Sequence, residues 1–136
     1  LQEATLKTFI PQLSLAPADS NLTGAEVELV AMERREFRLR EALAGWMRNR
    51  DYRFILIDCP PSLGLLTVNA LVAATEVMIP IQCEFYALEG LGALVETLER
   101  VRSAFHPDLR ILGILLTMYD ARTSLRVMTR ALTCAA

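Results

Sequence analysis

Residues 54–64 read FILIDCPPSLG. A short apolar run climbs to Asp58, and the chain then breaks at Pro60, Pro61 and Gly64. A buried strand that ends in a carboxylate and turns at once is how many nucleotide-binding α/β proteins present a Mg²⁺-directed acid at the carboxyl edge of a sheet. The plainer alternative is a buried strand followed by a Pro-rich turn with a solvated aspartate.

Working outward, the same kind of apolar run recurs. Residues 77–81 form a second expected strand, closed by Pro80 and Gln82, and residues 110–117 a third, nearly all aliphatic. Residues 13–16, between Pro11 and Pro17, make a short strand. Helical patterns fill the intervals. Asn21 or Thr23 is expected to cap a helix over residues 24–32, with Glu26 and Glu28 near its positive end. Residues 34–50 place Phe37, Leu39, Ala42, Leu43 and Trp46 on one face of an amphipathic helix. Residues 65–74 are apolar almost all round and read as a buried helix. Residues 86–105 put Leu88, Leu91, Leu94, Val95, Leu98 and Val101 on a core side, and Pro107 ends that region. Aliphatic strands alternating with helices indicate an α/β fold: a parallel sheet flanked by helices and joined by right-handed crossovers. One domain, or most of one, over residues 1–136 is expected.

Composition agrees. The chain has 136 residues, 53% hydrophobic and 22% charged, with a formal net charge of −2. That suits a globular domain with a real core and argues against disorder. No run approaches the roughly 18 apolar residues of a membrane span. No secretory leader is visible at the start, where Gln2, Glu3 and Lys7 interrupt any apolar order. Cys59, Cys83 and Cys134 make no disulfide framework, and a single histidine, His106, offers no metal cluster. A reducing cytoplasm fits that usage. The mild acidity gives the whole chain no strong electrostatic grip on nucleic acid.

Three expected strand ends are polar: Asp58-Cys59-Pro60-Pro61, Gln82-Cys83-Glu84 and Thr117-Met118-Tyr119-Asp120. In a parallel sheet they share one edge, the edge where ligands bind.

Five segments then carry a specific resemblance: LTGAEVELV (22–30), RREFRLREAL (34–43), FILIDCPPSLGLLTVNALVAA (54–74), VMIPIQCEFYALEGLGALVETLERVR (77–102) and LRILGILLTMYDART (109–123). In order and over most of the chain, they resemble the ParA/Soj family of chromosome and plasmid partitioning ATPases. These are P-loop NTPase-like (SIMIBI type) relatives of MinD with a deviant Walker A loop. The resemblance implies ATP and Mg²⁺ as cofactors. It makes Asp58 the Walker B aspartate, catalytic and reaching Mg²⁺ through water, which suits a hard cation that keeps part of its hydration shell. It makes Pro60, Pro61 and Gly64 part of a γ-phosphate-sensing segment. Thr117, Met118 and Asp120 border the adenine pocket, against the alternative of an ordinary strand-to-loop turn. Gln82, Glu84, Tyr86 and Glu89 fall at nucleotide-dependent dimer and partner contacts, against the alternative of helix-start charge and packing. Arg122 matches a DNA-contacting residue, against that of a lone solvated charge; phosphate contacts matter in numbers. A homodimer in the ATP state, a ParB-type centromere-binding partner, non-specific DNA, no membrane and a cytoplasmic, nucleoid-associated location follow from the same resemblance.

The chain also departs from the family pattern. It contains no GKGGxGKT or GxxxxGK[ST] loop, and Lys7 is its only lysine. The family's second aspartate motif is absent too. A fragment incomplete at both ends is therefore expected, unable to hydrolyse ATP alone. In the family, the strand that enters the phosphate loop lies between those matching residues 54–58 and 77–81, so either a gap or a differently closed sheet is expected here. The terminal RVMTRALTCAA also leaves the pattern, and a short helix over residues 125–134 is expected there. Two other readings stand beside this one: a non-catalytic protein-interaction module, and a MinD-like membrane-cycling ATPase. The second is disfavoured by the want of a basic amphipathic C-terminal helix.

Overall fold

The computed structural model describes residues 3–47, 52–60, 62–82 and 87–118, with the side chains of Thr23 and residues 87–89 left out. The chain runs β1 (Leu6–Lys7), β2 (Ser14–Leu15), α1 (Ser20–Val30), a 3-10 turn (Arg35–Phe37), α2 (Arg38–Met47), α3 (Leu65–Ala73), β3 (Glu76–Gln82), α4 (Ala87–Ala104) and β4 (Arg110–Thr117).

The centre of the molecule is the β3-α4-β4 unit. β3 and β4 pair in parallel, from Glu76 against Arg110 to Gln82 against Thr117. The register slips once, between Val77 and Met78, so Leu112 is the extra residue of a bulge. Gly113 follows it with φ +157°, a conformation that side-chain-bearing residues rarely adopt. The strand runs straight through Pro80 instead of closing there. Proline has no N–H to donate and is confined to edge strands, and β3 has a strand partner on one side only among the described residues.

One face of this pair is covered. Ile79 and Ile81 of β3 meet Leu71 and Val72 of α3, Leu98 and Val101 of α4, and Leu109. Leu98 and Val72 are fully buried. Phe37 and Phe105 pack edge to face against this core, with ring centroids 5.8 Å apart. On the opposite face Met78, Leu112 and Leu115 stay exposed, so the expectation of strands covered on both sides holds for one side only. Val95, expected in the core, is also exposed.

Three helix starts are capped by side chains, two of them from another helix. Asp19, rather than Asn21 or Thr23, caps α1 by accepting from Asn21 N at 2.9 Å, so α1 begins earlier than its apolar pattern suggests. Glu26, in the body of α1, accepts from Leu65 N at the start of α3 (2.8 Å). Asn69, buried in α3, accepts from Leu39 N in the first turn of α2 (3.1 Å). The Asn69 amide nitrogen also donates to Arg35 O (2.8 Å) and Leu65 O (3.0 Å). The expected helix over residues 34–50 is thus split. Arg34 takes a left-handed conformation (φ 53°), the 3-10 turn follows, and α2 starts only where Asn69 receives it. The left-handed Arg34 is held by Glu41 (3.0 Å) and by the face of Phe37.

β1 and β2 form a small antiparallel hairpin tied to the rest by Tyr52, whose hydroxyl bonds Ser14 Oγ at 2.9 Å. β1 had no signal in the sequence beyond Leu6; the hairpin exists because Thr8 closes its turn, bonding Leu13 O and Ile10 N through its hydroxyl.

Residues 54–58 are the main departure from expectation. They join no strand ladder among the described residues, and Phe54 and Leu56 are 75% and 94% exposed. An aliphatic run of this kind satisfies its backbone and its side chains only between neighbouring strands. Among the described residues no other strand closes onto this run.

Candidate functional site at the carboxyl edge

β3 and β4 end level with one another. Gln82 pairs with Thr117, and the Thr117 hydroxyl donates to Ile81 O at 3.2 Å, which locks the two ends together. Met118 follows at once in a left-handed conformation (φ 55°), exposed, so the strand conformation ends at this edge. Two of the three expected strand ends are therefore side by side. The third, Asp58, ends the unpaired run and is exposed.

From Asp58 the chain turns into α3. Thr67 sends its hydroxyl back to Ser62 O (2.6 Å), closing the turn against the first turn of the helix. Gly64 precedes α3 in an extended conformation (φ −79°, ψ −174°) open to any residue. What Gly64 lacks is room: a Cβ there would run into Oε1 of Glu26. Sequence reasoning assigned Gly64 but missed Glu26, Thr67 and Asn69. The hydrophobic pattern of α3 gave the one signal available, since Thr67 and Asn69 are polar residues in an otherwise apolar helix.

Cys59 is exposed as a residue, yet burial around its sulfur, and then the charge of Asp58, push its thiol above the ordinary value. With Cys83 and Cys134 replaced by serine, alkylation of Cys59 is therefore expected to be slow at neutral pH and to rise as pH climbs through the raised value. Asp58→Asn removes the smaller of the two causes and is expected to speed alkylation at a fixed pH, which a timed iodoacetamide reaction measures.

The described residues contain no group of three or more His, Cys, Asp or Glu able to cage a metal. A lone exposed carboxylate suits Mg²⁺, which takes one or two carboxylates, retains waters and shares phosphate oxygens. Asp58 thus fits the metal side of a Mg²⁺–nucleotide site; the phosphate side needs a cradle of backbone N–H groups, for which these 136 residues hold no glycine-rich loop. Pro61, Glu84, Tyr86, Asp120, Arg122, Cys83, Cys134 and the segment 125–134 lie outside the described residues, as does the side chain of Glu89. No described helix is long and apolar enough to cross a membrane.

A parallel β-α-β core with helices against it and polar strand ends at one edge defines an α/β protein of the P-loop NTPase type. A solved structure of this type, cobyrinic acid a,c-diamide synthase from Mycobacterium smegmatis with bound ATP analog and magnesium, superposes with a TM-score of 0.89 at 39% identity, covering 99% of this chain and 55% of that one. The model of the AAA domain family matches residues 1–111, and the chain belongs to that family. Within it, the chain is homologous to the ParA/Soj ATPases over most of its length. It is 54% identical over 123 residues to the chromosome partitioning protein ParA of Caulobacter vibrioides, covering 90% of this chain and 46% of that one. It is 53% identical over 120 residues to the sporulation initiation inhibitor protein Soj of Bacillus subtilis, covering 88% of this chain and 47% of that one. The chain spans about half the length of the curated relatives it matches.

Proposed function

We propose that this chain supplies the metal-side half of a ParA-type ATPase that acts in chromosome or plasmid partitioning in the cytoplasm. The observation that carries the reading is the sequence from Asp58 to Gly64 leading into α3, together with aligned β3 and β4 ends and a run at residues 54–58 that joins no strand ladder among the described residues. This supports a reading in which Asp58 serves the metal side of a nucleotide site and residues 54–58 lack a neighbouring strand among the described residues. ATP with Mg²⁺ supplies the phosphoanhydride to be cleaved and the cation that neutralises its charge. Asp58 would hold Mg²⁺ through a water of its hydration shell. Pro60, Pro61 and Gly64 form the turn that senses the terminal phosphate. Thr117, Met118 and Asp120 border the base. Gln82, Glu84, Tyr86 and Glu89 serve a homodimer in the ATP state and a ParB-type partner, and Arg122 adds one phosphate contact to non-specific DNA. The chain alone does not hydrolyse ATP, because nothing in it cradles the phosphates.

The test is a fusion that places an apolar strand and a GKGGxGKT-type loop ahead of residue 1. Mg²⁺-dependent ATP hydrolysis is expected in the fusion and not in the chain alone, and Asp58→Ala is expected to lower it by about 100-fold, the scale for removing one preorganised electrostatic group. Hydrolysis indifferent to Asp58→Ala would remove Asp58 from the site.

A further inference from the structure

Gly64 is glycine for a reason that its backbone does not supply. Its dihedral angles suit any residue, but a Cβ would take the place of Glu26 Oε1. The same oxygen accepts from Leu65 N at 2.8 Å. Gly64 itself offers α3 no side-chain cap. The first free N–H of α3 is thus satisfied by a carboxylate from α1, more than thirty residues earlier in the chain, and the negative charge sits at the positive end of the helix.

We propose that Glu26 is a positioning residue for the turn that joins Asp58 to α3, and that Gly64 is the socket that admits it. α1 and the turn are then mechanically coupled. With the carboxylate seated, Leu65 is fixed, Thr67 holds Ser62, and the turn is drawn onto the start of α3. With α1 displaced, the cap is lost and the turn is released. At the far end of α1 Arg35 donates to Val30 O, the carbonyl of its last residue, and Asp19 caps its start. A contact that shifts α1 reaches the turn through the Glu26 carboxylate. The consequence for a bound nucleotide rests on the function proposed above; the coupling does not.

Two substitutions at different residues should break the same contact. Glu26→Ala removes the carboxylate. Gly64→Ala leaves the backbone allowed and evicts the carboxylate by occupying its place. Amide hydrogen exchange of the full 136-residue chain, followed by NMR without nucleotide, reads the result at Leu65. Each single variant is expected to speed Leu65 exchange by about ten-fold, the equivalent of about 1.4 kcal/mol and typical of a lost cap. The double variant is expected to match either single one. Glu26→Gln keeps an acceptor oxygen and is expected to stay within about three-fold of the native chain. The proposal is overturned if Gly64→Ala leaves Leu65 exchange unchanged, or if the two effects multiply to about 100-fold in the double variant. Should Glu26→Ala fail to fold, Gly64→Ala and Glu26→Gln still decide, since neither removes the α1 side chain. Because no nucleotide is present, the coupling can fail while the proposed ATPase reading stands, and the reverse.

Discussion

Replacing Asn69 with alanine is expected to cost about 3 kcal/mol of folding stability, read as a lower midpoint in urea at an unchanged slope. Asn69 is 4% exposed and joins three elements. Its carboxamide oxygen holds Leu39 N, and its nitrogen holds Arg35 O and Leu65 O. Alanine leaves a helix-start N–H and a turn carbonyl without partners in a half-buried site, and each such loss costs about 1–3 kcal/mol. Asn69→Asp is expected to fall short of a rescue. It keeps the acceptor for Leu39 but has no N–H for the two carbonyls, and it brings a charge into the core. By comparison, the surface pair Glu96–Arg100 on α4 is solvent-exposed, and disrupting it is expected to change stability by less than about 0.5 kcal/mol.

The second large effect is local. Amides of residues 54–58 are expected to exchange close to the rate of an unstructured chain, while those of Ile79 and Ile114 in the β3–β4 ladder exchange slower by about 1,000-fold or more. No backbone–backbone hydrogen bond of residues 54–58 occurs among the described residues, where Ile57 O accepts only from the Cys59 thiol at 3.8 Å, whereas β3 and β4 are paired from end to end. Native-state hydrogen exchange followed by mass spectrometry of short peptides separates the two classes. Protection of residues 54–58 equal to that of β3 would mean that a strand partner does form beside them.

The sequence made the β-α-β core legible because its elements are decided locally. β4 is found over the very residues that its aliphatic run marks out, and α3 and α4 end within a residue or two of their expected limits. Leu98 and Val101 face the core as their spacing requires. What the sequence hid are the decisions made between elements. Residues 54–58 carry every local mark of a strand, but a strand is defined by its neighbours, and none of the described residues supplies one. The break before α2 was hidden because its cause, Asn69, lies thirty residues further on. Glu26 looked like a charge at the start of a helix; the earlier cap at Asp19 moves it into the helix body, where it serves α3 instead.

The candidate site divides along the same line. The residue types at the strand ends were readable, and so was the alignment of β3 with β4. The role of Gly64 was not, because φ −79° gives no hint of it and the reason lies in a side chain from α1. Caps lent by one helix to another bind α1, the Asp58 turn, α3 and α2 into one polar chain of contacts over an apolar core. Glu26 and Thr67 tie the start of α3 to α1 and to Ser62, although the run leading to Asp58 has no strand beside it among the described residues.

The most direct test of the account is a titration of a fluorescent ATP analogue with Mg²⁺ into the folded 136-residue chain, beside its Asp58→Ala variant. The account predicts no saturable binding by either, because the metal-side carboxylate is present and the phosphate cradle is not. Saturable binding that Asp58→Ala weakens would contradict it, and would mean that this chain builds a complete nucleotide site without a glycine-rich loop.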